Sequence, residues 1–289
     1  MSGSVSERAI LSNLKDPVLI AAFATPTKGG STAASAVSYL AQQWGAEPVL
    51  EFAAEHLYSN ARIRPQLQTL EDGQRMLQWP TNTVYLARPE GIERSLLLLV
   101  GVEPSIGWQD LIDTIQAFCR RNSVQTAILL HSAPASVSHR QDIAVTAVYG
   151  SPDLQASFGL PATAFHDGPQ SFGTVLSMHL NALGIATADL IALEPFYTPG
   201  LPDAGAALAL VRALDRYLGT KTVVESLVST ADQQRQAYDM AIADSEHLKA
   251  LAEQLEQTDE PPALLDTGAE ADISVSEVMD EVGRILSNS

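Results

Sequence analysis

Residues 17–24, Pro-Val-Leu-Ile-Ala-Ala-Phe-Ala, form an unbroken apolar run of strand length. That is the pattern of a strand covered on both faces, as in a parallel sheet. A loop, Thr25-Pro-Thr-Lys-Gly-Gly30, separates it from an alanine-rich helical pattern over 31–44, with Gly45 placed to end the helix. Strand character returns over 47–52, so the chain opens with β-loop-α-β, the crossover unit of an α/β fold. Between Gln66 and Arg88 the pattern shortens. Residues 67–70, 75–79 and 83–87 read as antiparallel strands, and Asp72-Gly73 is a hairpin signal. Residues 95–102 predict a central strand and 107–121 an amphipathic helix. Further strands are expected over 125–131 and 144–149, then a short helix from Ser151-Pro-Asp to near Gly159. A helix over 172–183 closed by Gly184, a last strand over 186–193 and a helix over 203–218 complete this part. No solenoid repeat interrupts it.

From Lys221 the character changes. Residues 221–257 carry one long polar helical pattern, with apolar positions at Val224, Leu227, Val228, Ala231, Tyr238, Ile242, Leu248, Leu251 and Leu255. Thr258-Asp-Glu-Pro-Pro262 breaks it, and an acidic linker follows over 258–272. Residues 273–286 predict one more helix, with Val275, Val278, Met279, Val282 and Leu286 on one face. The expected organisation is an α/β core over 1–220 and an acidic helical C-terminal extension over 221–289.

Charge sharpens that division. The 289 residues include 34 acidic and 17 basic side chains, a net charge of −17. Residues 221–289 hold 15 of the acids and 4 of the bases, so −11 sits in this last quarter and −6 in the rest. Such a balance argues against a nucleic-acid binder, which needs a cationic footprint, and against docking on an anionic membrane. With 46% hydrophobic and 18% charged residues, most of the chain is expected to be globular. The single cysteine, Cys119, lies in an apolar-periodic helix and is expected to be a buried, inert thiol. The first residues lack a basic segment leading into an apolar one, and no apolar run approaches the ~18 residues of a membrane span. A cytoplasmic protein is the expectation.

Three loops could carry chemistry. The first holds Lys28, between a strand and a helix N-terminus, where an anion could bind. Lys28 precedes its glycines, however, so the phosphate-loop spacing G-x-x-x-x-G-K-[ST] is absent, and no G-x-G-x-x-G occurs. A plain connecting loop is the other reading. The second is His166-Asp-Gly-Pro-Gln-Ser171-Phe-Gly173. A nucleophile elbow needs G-x-S-x-G, and Pro169 stands where its first glycine belongs. Asp167 and Ser171 therefore remain ligand candidates beside a reading in which Gly168-Pro169 merely turns the chain into the next helix. The third follows the strand over 125–131 and places His131, Ser132, His139 and Arg140 where open α/β sheets bind ligands, at strand carboxyl ends. The alternative is that these residues pin a loop or line a subunit interface. Glu194, after the last strand, is a further edge carboxylate. The six histidines are dispersed, with no metal-ligand spacing, so no metal, no cofactor and no catalytic residue is assigned.

Read together, several segments resemble a known family. They are Pro17-Val-Leu-Ile-Ala-Ala-Phe, Trp44-Gly-Ala-Glu-Pro-Val49, Glu103-Pro-Ser-Ile-Gly-Trp108, Ser138-His-Arg140, Thr146-Ala-Val-Tyr-Gly-Ser-Pro-Asp153, Gly168-Pro-Gln-Ser-Phe-Gly173 and Glu194-Pro-Phe-Tyr197. In this order and at these intervals the chain resembles the PAC2 family, bacterial and especially actinobacterial proteins similar to eukaryotic proteasome assembly chaperone 2. The likeness covers roughly residues 15–255. It implies a three-layer α/β/α fold with a mixed, mainly parallel sheet, like purine nucleoside phosphorylases and hydrolases, plus a helical C-terminal extension. It also implies homo-oligomers, with a trimer favoured, and binding or chaperone roles. The chain departs from the family pattern at Ala24-Thr-Pro-Thr-Lys28, at Val137-Ser-His-Arg-Gln141, at Ser171 and at Leu286-Ser-Asn-Ser289.

Two functions follow. The first is a non-enzymatic, oligomeric chaperone-like or assembly protein whose acidic helices engage a partner or neighbouring subunit. The second is a nucleoside phosphorylase- or hydrolase-type enzyme, with His131, His139 and Asp167 around an anionic or nucleoside ligand and Arg140 as its phosphate clamp.

Overall fold

In a computed structural model, residues 5–7, 11, 13–25, 31–52, 57–59, 63–70, 73–198, 201–243 and 245–257 are described. The linker and final helix expected over 258–286 lie outside them. The strands are β1 (Val5–Glu7), β2 (Val18–Ala24), β3 (Glu47–Phe52), β4 (Gln66–Thr69), β5 (Arg75–Gln78), β6 (Asn82–Ala87), β7 (Leu96–Val102), β8 (Thr126–Ala135), β9 (Val145–Tyr149) and β10 (Ala186–Pro195). The helices are α1 (Thr32–Gln43), α2 (Trp108–Arg121), α3 (Pro152–Phe158), α4 (Phe172–Ala182), α5 (Ala204–Leu218), α6 (Glu225–Ile242) and α7 (Glu246–Gln257).

Eight strands form one mixed sheet in the order β1-β3-β6-β7-β2-β8-β10-β9. Its centre, β7-β2-β8-β10, is parallel, and the flanking strands run antiparallel. Strand periodicity sends alternate residues of β2 to opposite faces. Val18, Ile20 and Ala22 pack with α1 and α5, whereas Leu19, Ala21 and Phe23 pack with α2 and α4. Both faces are thus covered, which is why β2 is apolar throughout; each fully buried aliphatic side chain contributes about 1.5–3 kcal/mol. The architecture is the expected α/β/α. Cys119 is buried on α2, and burial pushes its thiol up to about 12, so the thiolate is suppressed.

Three local patterns differ from the sequence expectation. Strand β8 continues past His131 to Ala135, paired with β10 through Pro134↔Glu194 and Ala135↔Pro195. Its pairing with β2 ends at Ala21↔Leu129, so the later residues have an open edge on which proline's missing N–H is tolerated. Of the three short strands over 66–88, only β6 joins the main sheet; β4 and β5 form a separate ribbon. The long helical pattern over 221–257 divides into α6 and α7. Tyr238, Ile242, Leu248 and Ala252 are all buried, and Ile242, Leu248 and Ala252 converge on Phe196 and Tyr197. Ser245 accepts a hydrogen bond from the Leu248 N–H and starts the second helix.

Candidate functional site

Because β7, β2, β8 and β10 are parallel, their carboxyl ends share one edge, and α1, α2, α4 and α5 begin there. That is where α/β sheets bind ligands. Two polar clusters and one buried carboxylate occupy this edge.

The first cluster surrounds His131. It lies within β8 rather than on a loop, and its Nε2 is 2.9 Å from Asp189 Oδ1 on the neighbouring β10. Asp189 is 2% exposed and its other oxygen accepts the Ser177 hydroxyl from α4. The Asp189 carboxyl group thereby joins two strands and a helix. The first turn of α4 closes over the ring: a Cβ on Gly173 would fall 2.9 Å from His131 Cε1, so only glycine permits this approach. Ser171 is the N-cap of α4 and accepts from the Thr174 N–H at 3.2 Å. Glu103, just past β7, accepts from the Phe172 N–H at 3.2 Å. Burial pushes the Glu103 carboxyl upward against the pull of that N–H.

The second cluster surrounds His139 and Arg140. His139 Nδ1 lies 2.7 Å from the Tyr197 hydroxyl, which also accepts the His139 backbone N–H at 2.9 Å. Its Nε2 lies 3.2 Å from Asp239 Oδ1 on α6. One arrangement satisfies all three contacts: Tyr197 donates to Nδ1 and a neutral ring donates from Nε2. The ring packs edge-on against Tyr197 and Tyr238. Burial, opposed by Asp239, holds the imidazole below its ordinary value. Arg140 donates through Nε to the same Asp239 oxygen at 2.7 Å, and through Nη1 to Glu256 of α7 at 3.5 Å. Ser138 donates to Glu256 at 3.2 Å. Partial burial would raise Asp239, but the bonds from Arg140 and His139 hold it below the usual carboxylate range. Ser138-His-Arg140 is therefore a clasp on α6 and α7.

The third feature is Glu194, the penultimate residue of β10, which is 8% exposed. Burial pushes its carboxyl up to about 7, with nearby Asp203 adding to the shift and Thr32 and Ser132 opposing it. Among the described residues, Oε1 of Glu194 has no hydrogen-bond partner. Asp203 caps α5 by accepting from the Ala206 N–H at 2.8 Å, and its own N–H donates to Thr32 Oγ1 at 2.9 Å.

Of the sequence candidates, His139 and Arg140 meet on Asp239, while His131 and Ser171 share the first turn of α4. Asp167 is exposed on the loop before α4, and Lys28 lies outside the described residues. The partners Asp189, Ser177, Asp239 and Glu256 carried no sequence signal, since each is read only when distant segments meet. Tyr197, in the Glu194-Pro-Phe-Tyr segment, was the one legible partner. No group of three or more His, Cys, Asp or Glu side chains able to hold a metal occurs among the described residues. Nor is any helix among them long and apolar enough to cross a membrane.

Comparison with known proteins places these features in a wider set. The sequence profile of the PAC2 family matches residues 29–242. A solved Mycobacterium tuberculosis proteasome-assembly chaperone homologue is 27% identical over 83% of this chain and 100% of its own, with a TM-score of 0.72. A PAC2 family protein from Streptomyces avermitilis is 28% identical over 81% of this chain and 99% of its own, with a TM-score of 0.73. An archaeal proteasome activator from Pyrococcus furiosus shares the fold at 17% identity, covering 82% of this chain and 98% of its own, with a TM-score of 0.65. No curated protein sequence matches the chain.

Proposed function

The chain belongs to the PAC2 family, and from that premise we propose that it is a non-enzymatic, oligomeric chaperone-like or assembly protein that acts by binding protein. A cytoplasmic homo-trimer is the favoured form. Its working parts are an α/β core over 1–220 and the acidic extension over 221–289, which engages a partner or a neighbouring subunit.

One observation carries this reading. The histidine and arginine best placed to hold an anion at the strand ends are engaged with Asp239 and Glu256, which fastens two helices across that edge. Gln234 extends the attachment by accepting the Ala204 N–H at 2.8 Å and donating to the Pro202 carbonyl at 2.9 Å. Tyr39 of α1 donates to the Val223 carbonyl at 2.9 Å. The arrangement ties α6 and α7 to the end of the edge that carries His139 and Arg140. The chaperone and activator names of solved proteins with this fold support the same direction.

Size-exclusion chromatography with light scattering, together with pull-downs from the full chain and from a chain ending at Gln257, tests the proposal. Oligomers and a partner retained only by the full chain are expected. A strict monomer that retains nothing would sink it. A thermal-shift screen of nucleosides, nucleotides and phosphate is expected to give no stabilisation, and a clear shift would revive the enzyme reading.

A further inference from the structure

The β4–β5 ribbon stands apart from the main sheet with its apolar side chains uncovered. Leu67 and Leu77 lie opposite each other and are 61% and 54% exposed. Pleating puts Arg75 on the same face, and Trp79, 41% exposed, continues that face beyond Leu77. A lone two-stranded ribbon is at best marginal in water, and an apolar one with open edges is normally covered.

A matching surface lies on α6. Val224, Glu225, Val228, Asp232 and Gln236 line an open groove of about 470 Å³ along the helix, and Val223 beside it is 63% exposed. Spacing by four residues sets Val224, Val228 and Asp232 in one row. Two valines followed by a carboxylate complement two leucines followed by an arginine. Arg75 and Asp232 are both exposed, and neither forms an ion pair among the described residues. The wider charge agrees in sign: residues 62–79 carry three arginines and two acids, whereas residues 221–257 carry seven acids and three bases.

The ribbon and the groove lie on opposite faces of the sheet. Ile63, three residues before β4, packs with Leu19, Ala21 and Phe23 on the α2–α4 face. Val224 and Leu227 pack with the cluster of Val18, Ile20 and Ala22 on the α1–α5 face, and Tyr39 of α1 ties the start of α6 there. The sheet and one helix layer between them are about 20 Å thick. Strands of four residues reach only about 14 Å. Within one chain both surfaces therefore stay exposed, and a second copy can supply to each what the first cannot.

We propose that the β4–β5 ribbon of one copy docks in the α6 groove of the next, with Leu67 and Leu77 on Val224 and Val228 and Arg75 on Asp232. The contact joins unlike surfaces, so it repeats head to tail and can close into a ring. It rests on the oligomeric reading above and specifies the interface.

Sedimentation equilibrium on the full chain and its surface variants tests the docking. Leu77→Asp is expected to weaken association about ten-fold. Arg75→Glu and Asp232→Arg should each weaken it about five-fold, and the double variant, which restores the pair with reversed signs, should return to within about two-fold of the parent. A monomeric parent overturns the oligomeric reading and the docking together. An oligomeric parent that all three single variants leave unchanged overturns the docking alone. Oxidation of mixed Leu77→Cys and Val228→Cys chains, in which Cys119 stays buried, is expected to give a disulfide between the two kinds of chain. Disulfides between two Leu77→Cys chains, which ribbons packed face to face would form, or persistently free thiols overturn it.

Discussion

At His139 two functions compete for one side chain. A histidine beside an arginine at a strand end suits anion binding, but here the ring is 1% exposed and both its nitrogens are engaged within the fold. Replacing it by alanine removes the ring contact from the Tyr197 hydroxyl and from Asp239, which keep only the backbone N–H of residue 139 and the Arg140 guanidinium among the contacts described above. We expect His139→Ala to lower stability by about 2–3 kcal/mol in urea unfolding, with faster hydrogen exchange concentrated in α6 and α7. The imidazole is held below its ordinary 6.5, so its contribution is present above that pH and lost as pH falls. Glu194 has the opposite sign. Its carboxyl is raised from 4.5 to about 7, so the folded state holds the proton more tightly. Its contribution is complete below pH 4.5 and is lost as pH rises to 7. Glu194→Gln cannot ionise. Relative to the parent it should gain stability on the order of 3 kcal/mol between pH 5 and 8, read as a pH-dependent difference in unfolding free energy.

At the scale of elements, close approach and capping decide the edge. The first turn of α4 reaches His131 because residue 173 has no side chain. Gly173→Ala should push α4 outward, break the Ser177–Asp189 bond and lower the melting temperature by several degrees, measurable by scanning calorimetry. Ser245 turns α6 into α7, so Ser245→Ala should cost about 1 kcal/mol and make α7 the first segment cut in limited proteolysis. The sequence pattern had merged these two helices because both present apolar residues at compatible helical spacing. What separates them is the need to bring Ile242 and Leu248 onto the same two aromatic rings. Strand β8 was read short for a related reason. Pro134 is a poor strand residue except on an open edge, and that edge exists only because β2 stops pairing at Ala21.

For the whole molecule, charge and topology act separately. The net charge of −17 is concentrated after residue 220, so assemblies that bring these extensions together should be salt-sensitive. Light scattering is expected to show a larger oligomeric fraction at 500 mM than at 50 mM salt if neighbouring extensions face one another. Insensitivity would place the extensions apart. The apolar runs at β2, β7, β8 and β10, the glycine stops after helices and the acidic tail were legible in the sequence. They depend on solvent exposure and local backbone freedom, which neighbouring residues report. So the sequence by itself determined the α/β layering, the buried thiol at Cys119 and the segregation of charge. Tertiary structure alone decided that His131 meets Asp189 across 58 positions and that Arg140 meets Asp239 across 99. Such pairs are set by strand order and helix docking. A hydrogen bond between distant segments leaves no periodicity in either, so the roles of the polar residues became readable only in the folded chain.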